Sequence, residues 1–299
     1  MGNNIKRKFY IGSEWLYLKI YGNPIVLDEI LIKDILIVVN RLIRKELIER
    51  FFYIRYEDPD FHLRLRFKIK DVESLVEIIK IFNKLLARKS VENQISNFQI
   101  DTYQREIERY GIETIELVEK LFCFDSLRVL ELLKFCTASE KDIRWLLGVQ
   151  TIHYYFNLFD IQMEIRLRIM KRVVDNFKTE FNIKTSKYSK VLLKKYKSDR
   201  DTINDFFFNQ KKKEDKYFKI NKKFFIVQKN IMNYIKQKNN ENSIEDLVVD
   251  IIHVSINRFF IYDLRLSEMV SYEYLLKFYT EYKHNPNFYK KDIYMKINY

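Results

Sequence analysis

The chain has 299 residues, enough for one large domain or two smaller ones with a real core. With 47% hydrophobic and 16% aromatic residues it is a globular chain and not a disordered one, and its formal net charge of +13 suits nucleic acid, an acidic peptide or another anionic substrate. Its two cysteines, Cys123 and Cys136, stand in no CxxC or zinc-type spacing, so the expectation is a reduced, cytoplasmic protein with no zinc-type metal site.

Met1 to Lys8 is polar and basic with no apolar stretch behind it, which predicts no signal peptide. No apolar run reaches the roughly 18 residues of a membrane span, so no membrane insertion is expected. Trp15 to Tyr21 reads as a strand, Leu27 to Glu49 as a helix, and Phe51 to Tyr56 as an aromatic-rich strand. After the turn Glu57-Asp58-Pro59-Asp60, His62 to Ile69 alternates strictly and reads as a strand. Asp71 to Ala87 is an amphipathic helix with an acidic start, and Asn97 to Tyr103 reads as a last strand. The order is βαββαβ, that of a ferredoxin-like fold, with one sheet face covered by the two helices and the other free for a partner domain or a substrate.

From Arg105 onward only helical periodicity is visible, in Glu113–Phe124, Ser126–Phe135, Ser139–Phe159, Gln162–Phe181, Asp201–Phe208, Lys222–Gln237, Ile244–Leu264 and Ser267–Tyr282. The predicted class is α+β, a ferredoxin-like half over residues 1–104 followed by a mainly helical half over residues 105–299. Lysine is dense from Lys187 to Lys238, including Lys194-Lys195 and Lys211-Lys212-Lys213, and this stretch reads as a solvated helix or loop.

Three segments carry candidate chemistry. In His62-Leu63-Arg64-Leu65-Arg66-Phe67, alternation puts His62, Arg64 and Arg66 on one strand face and Leu63, Leu65 and Phe67 on the other. The charged face is compatible with plain solvation. Two arginines two residues apart also make a forked anion site, since each guanidinium holds a carboxylate by two parallel hydrogen bonds. An RNA-recognition motif has the same element order but presents aromatic rings on its third strand, and here Leu65 and Phe67 fall on the wrong face. The second segment is Tyr103 to Gly111, in which Glu106 and Arg109 share a helix face and would form at least a surface ion pair. The third is the apolar helix from Ile244, where Asp250, His253 and Asn257 recur on one stripe and need polar partners across an interface. His153 reads as a packed residue, and nothing is assigned to His284.

In this order and spacing the motifs Trp15 to Gly22, Phe52 to Pro59 with His62 to Phe67, Tyr103 to Gly111, and His253-Val254-Ser255-Ile256-Asn257-Arg258 resemble the C-terminal domain of lantibiotic dehydratases, also called the thiopeptide-type bacteriocin biosynthesis domain. The chain departs from that pattern in Gly111-Ile112, where members often carry two glycines, in Phe259-Phe260-Ile261, and in its lysine-rich stretch. The resemblance implies one of two reactions on a ribosomally made precursor peptide. One eliminates glutamate from glutamylated Ser or Thr to leave dehydroalanine or dehydrobutyrine. The other is a [4+2] cycloaddition between two dehydroalanines, the pyridine-forming step of thiopeptides.

The family's elimination residues correspond to Arg64, Arg66, Glu106, Arg109 and His253, and the presence of all five favours elimination. The reaction must remove a weakly acidic Cα proton and stabilise both an enolate-like oxygen and a departing carboxylate. His253 is expected as general acid or base, Arg66 and Arg109 on the glutamyl group, Arg64 orienting the substrate, and Glu106 aligning Arg109 or relaying a proton. His62, Arg55, Asn257 and Arg258 are expected to bind substrate around them. The expected partners are a leader-core precursor peptide and a separate glutamylating dehydratase subunit, with no direct nucleic-acid requirement and a homodimer left open. A non-catalytic RNA- or peptide-binding partner of a dehydratase complex is the alternative of another class.

Overall fold

The computed structural model describes residues 5–137, 143–183, 185–208, 216–238 and 241–283. Strand β1 (Lys8–Phe9) is followed by β2 (Trp15–Tyr21), and helix α1 (Pro24–Ile30) runs through a π-helical turn (Leu31–Ile35) into α2 (Leu36–Arg44). Strands β3 (Ile48–Tyr56) and β4 (His62–Ile69), helix α3 (Val72–Val91) and strands β5 (Asn97–Asp101) and β6 (Tyr103–Gln104) complete the first part. Asp71 caps α3, its side chain accepting from the Ser74 amide at 2.7 Å.

The main sheet is antiparallel with strand order β3-β4-β2-β5. Leu16, Leu18 and Ile20 of β2 and Leu63, Leu65 and Phe67 of β4 face α1 to α3 and form a buried core with Ile30, Val39, Ile78 and Phe82. The last predicted strand divides: β5 pairs with β2, whereas β6 turns away to pair with β1 in a small second sheet.

The helical part contains α4 (Ile107–Tyr110), α5 (Ile115–Thr137), α6 (Arg144–Leu158), α7 (Met163–Glu180), α8 (Thr185–Phe208), α9 (Lys216–Lys238), α10 (Glu241–Asn257) and α11 (Leu264–Tyr282). The two helices expected on either side of Asp125 are one, α5. Asp125 turns its carboxylate inward to Arg128 and Arg258 instead of capping a helix start. The lysine-rich stretch is only half solvated, because Ile220, Phe224, Phe225, Met232 and Ile235 of α9 are buried against the core. Lys211, Lys212, Lys213 and His284 lie outside the described residues.

The second sheet face, expected to be free for a partner domain or a substrate, is covered by the helical part. Trp15, Tyr17 and Phe52 on that face belong to a large core shared with α5, α6, α7, α10 and α11, and the Phe52 ring lies 5.8 Å from that of Phe122 on α5. The outer edge of β3 is closed as well. The Tyr53 amide donates to the Ser126 hydroxyl at 3.2 Å, Arg258 Nε donates to the Tyr53 carbonyl at 2.8 Å, and Asn257 takes both the amide and the carbonyl of Arg55, at 2.8 and 3.0 Å. These contacts also explain why α10 stops at Asn257 and not at Leu264. The Arg258 carbonyl accepts from Tyr53 Oη and Arg55 Nε, and the last turn tightens to the bonds Arg258 N to Ser255 O and Phe259 N to Ile256 O.

Arg258 is fully buried and its Nη1 lies 2.6 Å from Asp125, which also holds the fully buried Arg128 at 2.8 Å. Removing one partner of such a network strands the remaining charge in a medium that cannot solvate it. Arg258→Ala should therefore lower stability by about 3–5 kcal/mol. Lys45→Ala, at an exposed ion pair with Glu77, should cost less than about 1 kcal/mol. Urea unfolding midpoints compare the two; equal midpoints would show that the buried network does not hold the helical part to the sheet.

Candidate functional site

The β2–β4 and β3–β4 registers set Arg66 opposite Tyr17 and Phe52, and Arg64 opposite Lys19 and Ile54. The Arg66 guanidinium lies 4.7 Å from the Tyr17 ring, 5.2 Å from Phe52 and 5.1 Å from Tyr103. Arg66 is 8% exposed and its buried Nε has no hydrogen-bond partner. No carboxylate ion-pairs with it among the described residues. The buried Arg55, Arg105, Arg128 and Arg258 differ in this respect, pairing with Asp28, Glu119, Asp125 and Asp125 respectively.

Tyr103, one wall of this cage, is itself held. Its hydroxyl donates to Glu119 at 2.8 Å, and Arg105 grips the same carboxylate at 2.7 Å through both Nε and Nη2. Burial, then the Glu119 charge, pushes the Tyr103 phenol well above its ordinary range, and burial raises Tyr17 too, so both walls stay neutral.

Arg64 stacks on Tyr56 at 3.4 Å and donates from Nε to His62 Nε2 at 3.0 Å. His62 is buried, stacked on Tyr21 at 4.5 Å, with Nδ1 2.8 Å from the Asp60 carbonyl. An imidazole that donates at Nδ1 and accepts at Nε2 must be neutral. Burial pushes the His62 pKa below its ordinary value, with the Arg64 and Lys19 charges adding to it against the Asp60 carbonyl. His62 thus orients Arg64 in this structure and does not face a substrate.

Glu106 immediately precedes the short helix α4, and Arg109 lies within it. Arg109 pairs with Glu106 at 3.4 Å and with Asp250 of α10 at 2.6 Å; burial lowers the guanidinium pKa, and the Asp250 bond together with the charges of Tyr110, Asp250 and Glu106 more than reverses it. Gly111 ends α4 with φ +78°, and a Cβ there would meet Thr114 Oγ1 at 2.8 Å, so both backbone and space require glycine. One turn beyond Asp250, His253 Nδ1 lies 2.8 Å from the buried Glu268 carboxylate of α11. Arg265 bonds the same carboxylate at 3.0 Å and reaches Glu180 at 2.6 Å. A carboxylate accepts only, so Nδ1 carries the proton and Nε2 of the neutral ring is the basic nitrogen.

The stripe Asp250, His253, Asn257 therefore meets three elements in turn: α4, α11 and β3. Arg55 and Arg258 are fully buried and Asn257 is committed to the Arg55 backbone, so these three join elements together. The structure brings His62 to Arg64, Glu106 to Arg109, and Arg109 to the helix of His253. Glu119, Glu268 and the rings around Arg66 were missed in the sequence. Tyr17 and Phe52 were within reach of strand register; Glu268 carries no local signal.

Residues 15–279 match the family model described as lantibiotic biosynthesis dehydratase C-term. The chain belongs to this family. The subtilin biosynthesis protein SpaB of Bacillus subtilis is 30% identical over 203 residues, which is 64% of this chain and 18% of SpaB. The nisin biosynthesis protein NisB of Lactococcus lactis subsp. lactis is 37% identical over 139 residues, 44% of this chain and 13% of NisB. The chain thus spans less than a fifth of the length of either relative. Its fold is that of the tRNA-dependent lantibiotic dehydratase MibB from Microbispora (TM-score 0.69, 15% identity, 93% of this chain and 29% of that one). It is also that of the pyridine synthase TbtD from thiomuracin biosynthesis (TM-score 0.58, 7% identity, 90% and 98%). Among the described residues no helix is long and apolar enough to cross a membrane.

The neutral His62 makes stability depend on pH. Its folded pKa is below the unfolded value of about 6.5, so its contribution is complete above that pH and is lost as pH falls toward the folded value. The melting temperature should drop by several degrees between pH 7.5 and pH 5.5, and His62→Gln should flatten that drop. An equal slope in both proteins would remove His62 as its source.

Proposed function

We propose that this chain is a lyase of lanthipeptide biosynthesis that eliminates glutamate from glutamylated Ser or Thr of a precursor peptide. The observation that carries the reading is the Arg66 cage: a buried guanidinium held by three rings, with no carboxylate among the described residues ion-paired to it. A glutamyl carboxylate supplies what it lacks, and a fixed guanidinium that never titrates keeps the site cationic at any physiological pH.

In this mechanism His253 Nε2 takes the Cα proton, the Cα–Cβ double bond forms, and the Cβ–O bond breaks. Glutamate departs as a free carboxylate, leaving dehydroalanine or dehydrobutyrine. Glu268 stabilises the imidazolium that results. Arg66 and Arg109 hold the glutamyl group, Arg64 orients the peptide, and Glu106 with Asp250 aligns Arg109. This reading requires Arg64, Arg66, Glu106, Arg109 and His253 to face one cleft. No step calls for a metal or an organic cofactor.

The βαββαβ order and the strand order β3-β4-β2-β5 support reading the first 104 residues as a ferredoxin-like unit serving the helical remainder. The partners on this account are the precursor peptide and a separate glutamylating subunit in the cytoplasm. Cycloaddition is the second reading, favoured by the resemblance in fold and length to TbtD. It has no glutamyl group for Arg66 to hold.

The test offers the purified chain a nisin precursor peptide carrying glutamyl esters on Ser and Thr, without tRNA, and follows it by mass spectrometry. Dehydrated residues should accumulate. Arg66→Ala and His253→Ala should each slow turnover by about 10²–10⁴-fold while the glutamyl adducts persist. Glu268→Gln should fall between these variants and the wild type, with its pH–rate profile displaced. Full turnover in both alanine variants would overturn the assignment, and ring formation from a peptide with preformed dehydroalanines would favour cycloaddition.

A further inference from the structure

The two edges of the main sheet are treated differently. Edge strand β3 has a register irregularity between Ile48 and Arg50, and its outward backbone groups at Tyr53 and Arg55 are taken up by Ser126, Arg258 and Asn257. Edge strand β5 is protected only toward its ends, where Asn97 and Asp101 turn their side chains onto outward amides. Its five residues Asn-Phe-Gln-Ile-Asp pair with β2 without a bulge, contain neither proline nor lysine, and are largely exposed. Among the described residues no strand pairs with its outer side.

The amides of Phe98 and Thr102 donate to the side chains of Asn97 and Asp101, at 2.7 and 2.6 Å, and so are not bonded to β2. By the two-residue alternation of an antiparallel ladder, the Ile100 amide points the same way, outward. No side chain serves it. Ile100 is 37% exposed, a partly apolar position on an open edge.

Resting on the elimination reading above, we propose that β5 is the docking edge for the precursor peptide, an acidic extended segment adding as a fifth strand through the outward Ile100 amide and the outward carbonyls of Phe98 and Ile100. Main-chain pairing of this kind accepts many sequences, which suits an enzyme that modifies several positions of one peptide. Charge separates this occupant from a second copy of the chain: two bodies of +13 repel each other, whereas an acidic peptide is drawn in.

The geometry relates the edge to the site. Asn97, Gln99 and Asp101 lie opposite Tyr21, Lys19 and Tyr17, on the face that carries Arg64 and Arg66. Strands are about 4.8 Å apart, so an added strand runs roughly 14 Å from β4. About four or five extended residues, at roughly 3.3 Å each, cover that distance. The modified Ser or Thr therefore lies about that far along the peptide from its anchored segment.

The experiment uses the full chain and the same glutamylated nisin precursor. Hydrogen exchange should slow at the Ile100 amide on adding peptide. Single N-methyl groups along the peptide should weaken binding at alternate residues, the signature of strand pairing. Ile100→Pro removes an outward donor while keeping the bonds to β2, and should raise KM roughly tenfold with kcat retained. Turnover with an unchanged exchange rate at Ile100 and no alternation in the N-methyl series would overturn the proposal and leave elimination standing. Protection and alternation without turnover would keep the docking edge and remove elimination. Slow exchange at Ile100 before peptide is added, together with a dimer in solution, would assign the edge to a second copy and overturn the proposal.

Discussion

The structure depends on a buried charge network at the join between the sheet and the helices. Asp125 sits between Arg128 and Arg258 with no exposure to water, and Asp28 sits between Arg55 and Arg144 nearby. Neither carboxylate could stay ionised there alone; burial raises the pKa of each and the arginines beside it more than reverse the effect, holding both below the ordinary carboxylate range. Through Arg258 and Asn257 this network fixes the end of α10 against β3, and so sets where Asp250 and His253 stand relative to the arginine-bearing face.

Arginine does two kinds of work in this chain. Where a guanidinium joins elements it is paired: Arg105 with Glu119, Arg128 and Arg258 with Asp125, Arg265 with Glu180 and Glu268. Arg66 is caged by aromatic rings and has no ion-paired carboxylate among the described residues. The rings cover the guanidinium on their side and keep it in place. Glu119 contributes indirectly, by fixing the Tyr103 wall. Glu268 does the comparable thing for His253 by fixing its tautomer.

Much of the fold was legible because strand alternation and helix periodicity follow directly from backbone geometry. The opposite facing of Leu63, Leu65 and Phe67 against His62, Arg64 and Arg66 came from period two alone. What covers the second face was not legible, since nothing local in Tyr17 or Phe52 says that Phe122 will pack on it. Long-range partners were hidden for the same reason: Glu268 meets His253 only because α10 and α11 fold back on each other. The burial of Arg55 and Arg258 and the hydrogen bonds that join them and Asn257 were invisible in one dimension. The five-residue set Arg64, Arg66, Glu106, Arg109 and His253 came from motif resemblance, and burial and pairing then separated the anion-ready Arg66 from the paired Arg109.

The central claim is that the Arg66 cage receives the glutamyl carboxylate while His253 faces the Cα proton. A crystal structure with a precursor fragment carrying glutamate through a non-eliminating amide linkage tests it most directly. The account predicts a glutamyl carboxylate within about 3 Å of the Arg66 guanidinium and His253 Nε2 directed at the Cα of the modified residue. A carboxylate bound away from Arg66, or a His253 ring that still faces only Glu268 and solvent with the analogue in place, would contradict it.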